Sequence, residues 1–267
     1  MNVITSKENE TIKQVRKLKE KKYRDESHVF LVEGMKMVDE ALQEEAEIQK
    51  IFICEDCVKD GSIDQKFIYK IAKQDCVYVT EPIFKSISEV TSPQGILAVV
   101  AQREEKQATP SYTDELYLAL DGIQDPGNLG TIIRTADSAG IRELILSPQT
   151  ADPYNPKVVR STMGAIFRMN FIQTKDFAST LKEMQKHHYQ VLATSLEDAK
   201  SIYEVSYQKK VLVIGNEANG VSKEVQDLAD QKIKIPMLGK TESLNASVAA
   251  GIVVYEAVRQ KLAKNKQ

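Results

Sequence analysis

The sequence has few of the features that stabilise small secreted proteins or anchor a chain in a membrane. Three cysteines among 267 residues cannot build a disulfide framework, and glycine and proline form no rich tract. The longest apolar stretch, Ala246 to Tyr255, has about ten residues, whereas a membrane span needs roughly 20. The N-terminus shows no apolar signal core. We therefore expect a soluble, cytoplasmic protein that is long enough for two domains.

Two of the cysteines, Cys54 and Cys57, form a Cys-x-x-Cys pair, which is a candidate for zinc binding or redox chemistry. A structural zinc ion needs four ligands, and only Cys76 and three histidines are left to complete a set. The pair ends a strand-like run and does not open a helix of the redox type. This favours half-buried free thiols over either functional role.

The net charge is −2, so the whole molecule does not attract nucleic acid by charge. One segment is different: between Thr11 and Arg24, seven basic residues accompany a single acid, Glu20. Clustered cations set a local field, which makes this segment a candidate nucleic-acid contact, although such runs also occur on solvated helix faces. The seven residues are Lys13, Arg16, Lys17, Lys19, Lys21, Lys22 and Arg24.

Strand-like and helix-like segments alternate along the chain. Continuous apolar strands such as VLVIG (211–215) are typical of a parallel sheet covered on both faces. The stretch from Arg103 to Asp114 is polar, contains Pro110 and lacks periodicity, as linkers do. The pattern predicts an α/β protein with an N-terminal domain over residues 1–105, a linker over 106–114 and a C-terminal domain over 115–267.

Ligands of open α/β sheets collect beyond the carboxyl ends of the strands. Three loops in such positions are rich in Gly, Asn, Asp, Glu and Ser: DGIQDPGNLG (121–130), NEANGVS (216–222) and LGKTESLNAS (238–247). The first lacks the GxGxxG spacing of dinucleotide-binding proteins, and the chain has no GxxxxGK[ST] phosphate loop. No metal-ligand cluster or Ser/His/Asp set follows a strand. These absences exclude the ordinary nucleotide-binding and metal-dependent classes.

Three motifs resemble, in order, those of the SpoU (TrmH) family of RNA methyltransferases, which belong to the SPOUT superfamily. They are DPGNLGTIIRTADSAG (125–140), VIGNEANGVS (213–222) and IPMLGKTESLNASVAAGIVVYEA (235–257). The first half, with VFLVEGMKMVDEAL (29–42), resembles more loosely the ribosomal-protein-like, RNA substrate-binding domain common in that family.

The resemblance implies a fold and an activity. The fold is a C-terminal parallel-sheet domain with a deep trefoil knot, joined to a smaller N-terminal α/β domain. The activity is methylation of a ribose 2′-hydroxyl in RNA, with large-subunit (23S) ribosomal RNA as the expected substrate. S-adenosylmethionine is the implied methyl donor, and no metal is needed. The resemblance also implies a homodimer whose active site lies near the subunit interface.

Matching the motifs residue by residue names the candidate site. The implied catalytic residues are Asn128, Arg134, Glu217, Ser243 and Asn245. The implied donor-binding residues are Gly215, Ile235, Pro236, Met237, Leu238, Leu244 and Ser247. Thr194, at the end of another strand and outside the three motifs, is a further candidate for contact with the adenine. Asn128 also suits the N-cap of a helix, and Ser243 precedes an apolar helix as a cap would. Gly215 suits a close approach of backbone to ligand, although an ordinary turn glycine fits as well.

Family proposals make Arg134 a general base. A guanidinium keeps its proton and accepts another poorly, so we expect Arg134 to lie beside an RNA phosphate and to orient the 2′-hydroxyl. Glu217 is then its orienting partner.

Other functions stay open at this point. One is a catalytically silent RNA-binding or ribosome-assembly factor of the same fold, and another is a knotted enzyme that methylates a base. Transfer RNA is the alternative substrate. The presence of all five catalytic motif residues argues against the silent factor.

Overall fold

The computed structural model describes residues 3–103 and 109–264 and shows the expected α/β architecture. The chain divides into two compact units: among the described residues, unit 1 comprises 3–103 and 154–167, and unit 2 comprises 109–153 and 168–264. Nothing in the sequence indicated that 154–167 groups with unit 1. The predicted domain boundaries remain a prediction, and residues 104–108, where the linker was predicted to begin, lie outside the described residues.

The strands are short and rich in β-branched residues and leucine, which suit a pleated, buried surface. They are β1 Val3–Ile4, β2 Val29–Glu33, β3 Ile48–Cys54, β4 Cys76–Val79, β5 Ile96–Ala101, β6 Leu116–Asp121, β7 Glu143–Leu146, β8 Asn170–Gln173, β9 Gln190–Thr194, β10 Lys200–Ser201, β11 Lys210–Gly215 and β12 Gln231–Lys234. The strand-like segments of the sequence all form strands; the two-residue strands β1 and β10 were not predicted.

The helices follow the apolar periodicity of the sequence. They are α1 Glu10–Lys17, α2 Lys21–Ser27, α3 Met35–Gln43, α4 Glu55–Lys59, α5 Gln65–Ile71, α6 Glu81–Ile87, α7 Pro126–Ser138, α8 Pro156–Thr162, α9 Phe177–Lys186, α10 Lys223–Leu228 and α11 Ala246–Lys264. Side chains of Asn9, Asp64 and Asp176 accept backbone hydrogen bonds at the starts of α1, α5 and α9, which satisfies donors that the helices leave free.

Unit 1 contains a five-stranded sheet in the order β1-β4-β3-β5-β2. Strand β5 runs antiparallel to both of its neighbours, whereas β1, β4 and β3 are parallel. Helices α1 and α6 cover one face of this sheet: Ile12 and Phe84 pack into a cluster with Phe52 and Val79, all of them buried.

Unit 2 contains a seven-stranded parallel sheet in the order β10-β12-β9-β11-β6-β7-β8. Leu181 of α9 and Val225 of α10 pack on one face of it. Helix α7 packs along α11, which also contacts β11. Because the strands are parallel, the loops that follow β6, β9, β11 and β12 emerge at one edge of the sheet. All three motif loops are among them.

Candidate active site

A chain of side-chain hydrogen bonds joins the three motif loops. Asn128, in the first turn of α7, donates from Nδ2 to Oε1 of Glu217, which follows β11. Asn245, which precedes α11, donates from Nδ2 to Oδ1 of Asn128 over 3.0 Å. Ser247 in turn donates from Oγ to Oδ1 of Asn245 over 2.6 Å. Loops that lie 89 and 117 residues apart in the chain therefore meet at one amide group.

Asn128 is held in place by the start of its helix, although it is not the N-cap that the sequence suggested. Helix α7 begins at Pro126, and Asp125 is its N-cap, accepting a 2.8 Å hydrogen bond from the backbone N–H of Asn128. Proline suits the first helical position because it has no N–H to satisfy. The cap fixes the backbone and leaves the amide side chain of Asn128 free to bridge two partners.

Asn245 caps the last helix, a role that the sequence had offered to Ser243. Its Oδ1 accepts hydrogen bonds from the backbone N–H groups of Ser247 (3.0 Å) and Val248 (3.4 Å). Helix α11 accordingly starts at Ala246. The cap orients Nδ2 toward Asn128, so one residue both begins the helix and links two motifs.

Gly215 is required by the chain itself. A Cβ at this position would lie 2.1 Å from the carbonyl carbon of Gly220, a separation that side chains do not adopt. The loop folds back here, with Asn216 and Gly220 paired as a bridge and Nδ2 of Asn216 bonded to the carbonyl oxygen of Gly122 over 2.8 Å. The close neighbour of Gly215 is backbone of the same loop, which carries Glu217, and the role of Gly215 toward the ligand stays a prediction.

A cavity of about 540 Å³ opens beside this loop at the carboxyl edge of the sheet. Five of the predicted donor-binding residues line it: Thr194, Gly215, Ile235, Met237 and Leu244. Two of the predicted catalytic residues, Glu217 and Ser243, line it as well.

The other predicted residues lie elsewhere. Pro236, Leu238 and Ser247 are not among the residues lining the cavity, and Leu238 is fully exposed. Thr194 lines the cavity, but its hydroxyl donates to the carbonyl oxygen of Val213 over 3.1 Å. The side chain therefore links β9 to β11 within the sheet.

The sequence did not identify two acidic residues that line the cavity, Glu197 and Glu242. With Glu217 they give three carboxylates, against one lysine, Lys234. A cationic ligand with an apolar part fits such a cavity, since carboxylates attract positive charge and the walls of small-molecule sites are mostly apolar. Glu242 lies within the third motif and Glu197 three residues after β9, but neither belongs to a local pattern that marks ligand contact.

Arg134 lies on an exposed part of α7. The structure of the single chain does not pair it with Glu217, which accepts a hydrogen bond from Asn128. Within the described residues Arg134 makes no ion pair. The guanidinium is therefore available to a group from outside the chain.

The predicted basic segment is largely neutralised by its own neighbours. Lys13 pairs with Glu8 and Glu10, Lys19 with Glu89, Lys21 with Asp25 and Lys22 with Glu26. Arg16 donates to Oγ of Ser86, and Lys17 lies 5.4 Å from the ring centre of Tyr23.

Arg24 has to be removed from the predicted contact surface. It is only 1 % exposed, and Nη1 donates to the carbonyl oxygens of Leu18 and Lys19 over 2.8 Å each. The guanidinium therefore satisfies carbonyl groups just after α1, and RNA cannot reach it in this structure.

The two cysteines of the pair are free thiols, one buried and one half-buried. Contrary to expectation, a helix does follow directly: β3 ends at Cys54 and α4 begins at Glu55. The pKa of the Cys57 thiol is raised to about 12, mainly by burial and to a lesser extent by a hydrogen bond with Cys54. Because the thiolate is the nucleophile and the metal ligand, this environment disfavours both roles. All three cysteines are free, and the described residues contain no group of three or more His, Cys, Asp and Glu arranged to hold a metal ion.

No described helix combines the length and the apolar character that crossing a membrane requires.

Comparison with known proteins agrees with the geometry. Residues 115–255 match the model of the SpoU rRNA Methylase family, and residues 9–98 match the MRM3-like substrate binding domain. A curated relative is the 23S rRNA (guanosine(2553)-2′-O)-methyltransferase RlmP of Bacillus subtilis. It is 33% identical over 256 residues, which is 96% of this chain and 98% of the relative.

Two solved structures hold S-adenosylmethionine (AdoMet). The SpoU methyltransferase AviRb of Streptomyces viridochromogenes matches with a TM-score of 0.84 at 26% identity, covering 96% of this chain and 99% of AviRb. An rRNA methyltransferase of Sinorhizobium meliloti matches with a TM-score of 0.80 at 32% identity, covering 97% and 98%. The acidic, partly apolar cavity suits the sulfonium and the adenosine of that donor. The chain therefore belongs to the SpoU rRNA methylase family and is an RNA methyltransferase that takes its methyl group from S-adenosylmethionine.

Proposed function

We propose that this enzyme methylates a ribose 2′-hydroxyl in large-subunit ribosomal RNA. The observation that carries the proposal is the hydrogen-bonded chain Glu217–Asn128–Asn245–Ser247, which joins the three motif loops. The second and third of these loops line the donor cavity. Support for the substrate comes from the relative RlmP, whose name assigns it a guanosine 2′-O-position in 23S rRNA.

Most of the rate enhancement that such a reaction requires comes from holding the methyl donor and the 2′-hydroxyl in the right positions. S-adenosylmethionine, when bound, supplies a methyl group that is already activated by its sulfonium. The residues Thr194, Gly215, Ile235, Met237 and Leu244 would hold it, and Glu217 and Ser243 face the same cavity. Holding two reactants in near-attack geometry contributes about 7–11 kcal/mol to catalysis.

Arg134 orients the nucleophile in this proposal. Its guanidinium is exposed and keeps its proton, so it binds an RNA phosphate and polarises the adjacent 2′-hydroxyl. A phosphate oxygen or a water molecule then takes the proton. The hydrogen bond between Asn128 and Glu217 links the first and second motif loops. Neither residue pairs with Arg134 in the single chain.

An exchange of Arg134 tests this role. Arg134→Lys keeps the charge but loses the bidentate fork, and we expect methyl transfer to fall by roughly a hundredfold while donor affinity, measured by calorimetry, is unchanged. Near-full activity of the variant would refute a specific role of the guanidinium.

The methylated atom and the RNA class can be determined together. The purified enzyme is given tritiated S-adenosylmethionine with deproteinised 23S rRNA, and in parallel with transfer RNA. A 2′-O-methyl group blocks alkaline cleavage at its linkage, so a new alkali-resistant position in 23S rRNA supports the proposal. Cleavage that persists at the labelled nucleotide identifies a base as the target, and label confined to transfer RNA identifies the alternative substrate. Failure to bind the donor at millimolar concentration would indicate a silent factor.

We further infer a homodimer, formed through α11. Val248, Tyr255 and Leu262 lie seven residues apart, hence on one stripe of the helix, and are 49%, 48% and 57% exposed. The hydroxyl of Tyr255 bonds Oγ of Ser138 on α7, the helix that carries Arg134. A partner packed on this stripe would lie close to the active site, as the family resemblance implies.

Sedimentation velocity tests the dimer. The wild type is expected at twice the 30.0 kDa chain mass, and Tyr255→Glu with Val248→Asp is expected to give monomers. A wild-type monomer at micromolar concentration contradicts the inference.

Three further assignments belong to the same proposal. The chain of unit 2 forms the deep trefoil knot of SPOUT enzymes, and Lys13, Arg16, Lys17, Lys19, Lys21 and Lys22 assist RNA binding from unit 1. The enzyme acts in the cytoplasm. Three free cysteines suit a reducing compartment.

A further inference from the structure

Helix α5 of unit 1 presents an exposed face that none of the motifs explains. Lys66, Tyr69 and Lys70 lie at positions i, i+3 and i+4 of α5, which share one side of a helix. Lys73 follows two residues after the helix ends at Ile71. All four are exposed, and the ring of Tyr69 is 78% exposed, the highest value among the exposed tyrosines of the described chain. We name these four residues the α5 face.

Charge on the α5 face is less neutralised than on the basic segment of α1 and α2. Within the described residues the amines of Lys66 and Lys73 have no ion pair, whereas Lys70 pairs with Asp39 on α3. The nearby carboxylates are engaged. Asp39 also accepts from Gln43 over 2.8 Å, and Asp64 accepts the backbone N–H of Lys66 over 2.9 Å.

The combination of a free aromatic ring and flanking cations is suited to unpaired nucleotides. Base stacking on an aromatic side chain tolerates any sequence, because every base has a π-face, and nearby amines hold the phosphates. Lys66 precedes Tyr69 by three residues and Lys73 follows it by four, so exposed amines flank the ring on both sides in the chain. A protein partner would be expected to need a larger apolar patch, whereas Tyr69 is the single aromatic residue of this face.

We propose that the α5 face is a stacking platform for a single-stranded segment of the RNA substrate, with a base on Tyr69 and phosphates on Lys66 and Lys73. The inference rests on the proposed function, since it names how unit 1 holds the RNA that unit 2 methylates. It places the main RNA contact of unit 1 on α5 and gives the basic segment of α1 and α2 a secondary part.

Fluorescence anisotropy with the full-length enzyme tests the platform. The probe is a fluorescein-labelled single-stranded RNA of mixed sequence, about 20 nucleotides long, compared with the same sequence as a duplex. We expect Tyr69→Ala to weaken single-strand binding about tenfold or more, within the range measured for loss of one stacked base. Tyr69→Phe keeps the ring and should bind within about twofold of the wild type. Tyr203→Ala is the matched control, because Tyr203 is also exposed (60%) but lies in unit 2.

The lysines are tested by salt dependence. Lys66→Gln and Lys73→Gln should each lower the slope of log affinity against log salt by about 0.7, the value for one phosphate contact on a single strand. Unchanged affinity of Tyr69→Ala, or an unchanged slope for both lysine variants, overturns the platform. Equal weakening of single strand and duplex by Tyr69→Ala overturns the stacking of unpaired bases.

The outcome is separable from that of the proposed function. Wild-type enzyme is assayed in parallel for alkali-resistant methylation of 23S rRNA. If methylation is found and the α5 variants bind normally, the platform is wrong and the proposed function stands. If no ribose is methylated, the proposed function fails whatever the anisotropy shows.

Discussion

The bridging amide of Asn128 offers a sharp test of the active site. Its Nδ2 donates to the carboxylate of Glu217 and its Oδ1 accepts from Asn245. The substitution Asn128→Asp keeps the shape and the acceptor but replaces the donor with a second carboxylate. It therefore breaks the contact with Glu217 and spares the one with Asn245.

The expected cost follows from these contacts. A hydrogen bond to a charged group contributes about 1.5–3 kcal/mol, and two like charges about 4 Å apart repel by about 1 kcal/mol in water, the appropriate medium because Glu217 is exposed. The sum is about 2.5–4 kcal/mol. At about 1.4 kcal/mol per factor of ten, this lowers kcat/KM by roughly one hundred to one thousand.

The variant should also acquire a pH dependence. Two adjacent carboxylates raise the pKa of one of them, and once a proton enters the pair an O–H donor is restored between them. The ratio of variant to wild-type kcat/KM is therefore expected to rise as the pH falls from 8 to 6. The assay is initial-rate transfer of tritium from S-adenosylmethionine to RNA.

Gln124→Glu is the charge-matched control, since it adds one negative charge in the same loop, at an exposed position with no hydrogen bond to Glu217. It should retain wild-type kinetics to within about threefold. If Asn128→Asp does the same at pH 8, the amide bridge is not required for the active geometry, and our account of the site is refuted.

Three further predictions follow from other parts of the structure. Glu242→Gln and Glu197→Gln should each weaken S-adenosylmethionine binding about fivefold, the effect of roughly 1 kcal/mol for an exposed charge pair. Binding of the demethylated product, whose sulfur carries no charge, should weaken less; equal loss for both ligands in calorimetry would contradict this. Gly215→Ala should lower the free energy of unfolding by about 3 kcal/mol or more, because the backbone of Gly220 would have to move. An unchanged melting temperature would show that the loop can rearrange without cost. At pH 8, Cys57 should react with iodoacetamide roughly a hundredfold more slowly than free cysteine, or slower still, and the rate should rise only as the pH approaches its raised pKa of about 12. Fast alkylation of the native protein, monitored by mass spectrometry, would show a reactive thiol instead.

Most of the fold could be predicted from the sequence because burial and periodicity are local signals. The run 211–215 is apolar throughout since both faces of β11 are covered, and this is visible without any structure. Two-residue strands such as β10 are too short to show such a signal. They form only because they pair with a neighbouring strand, which for β10 is β12.

The site was predictable only where a motif carried it. Asn128 and Asn245 were identified, but their mutual bond was not, because it joins residues 117 positions apart. Glu197 was missed for the same reason, since only the tertiary fold brings it to the cavity. Arg24 was misassigned: a buried arginine that holds carbonyl groups has the same local sequence as one that faces solvent.

The dependence of the site on Asn245 has a consequence for biosynthesis. Asn245 is synthesised 117 residues after Asn128, and the amide of Asn128 has both of its side-chain partners only once Asn245 is present. A ribosome that has made the first two motifs has thus not yet made an active centre. Copies of the enzyme that terminate before Asn245 should therefore be unable to modify the RNA around them.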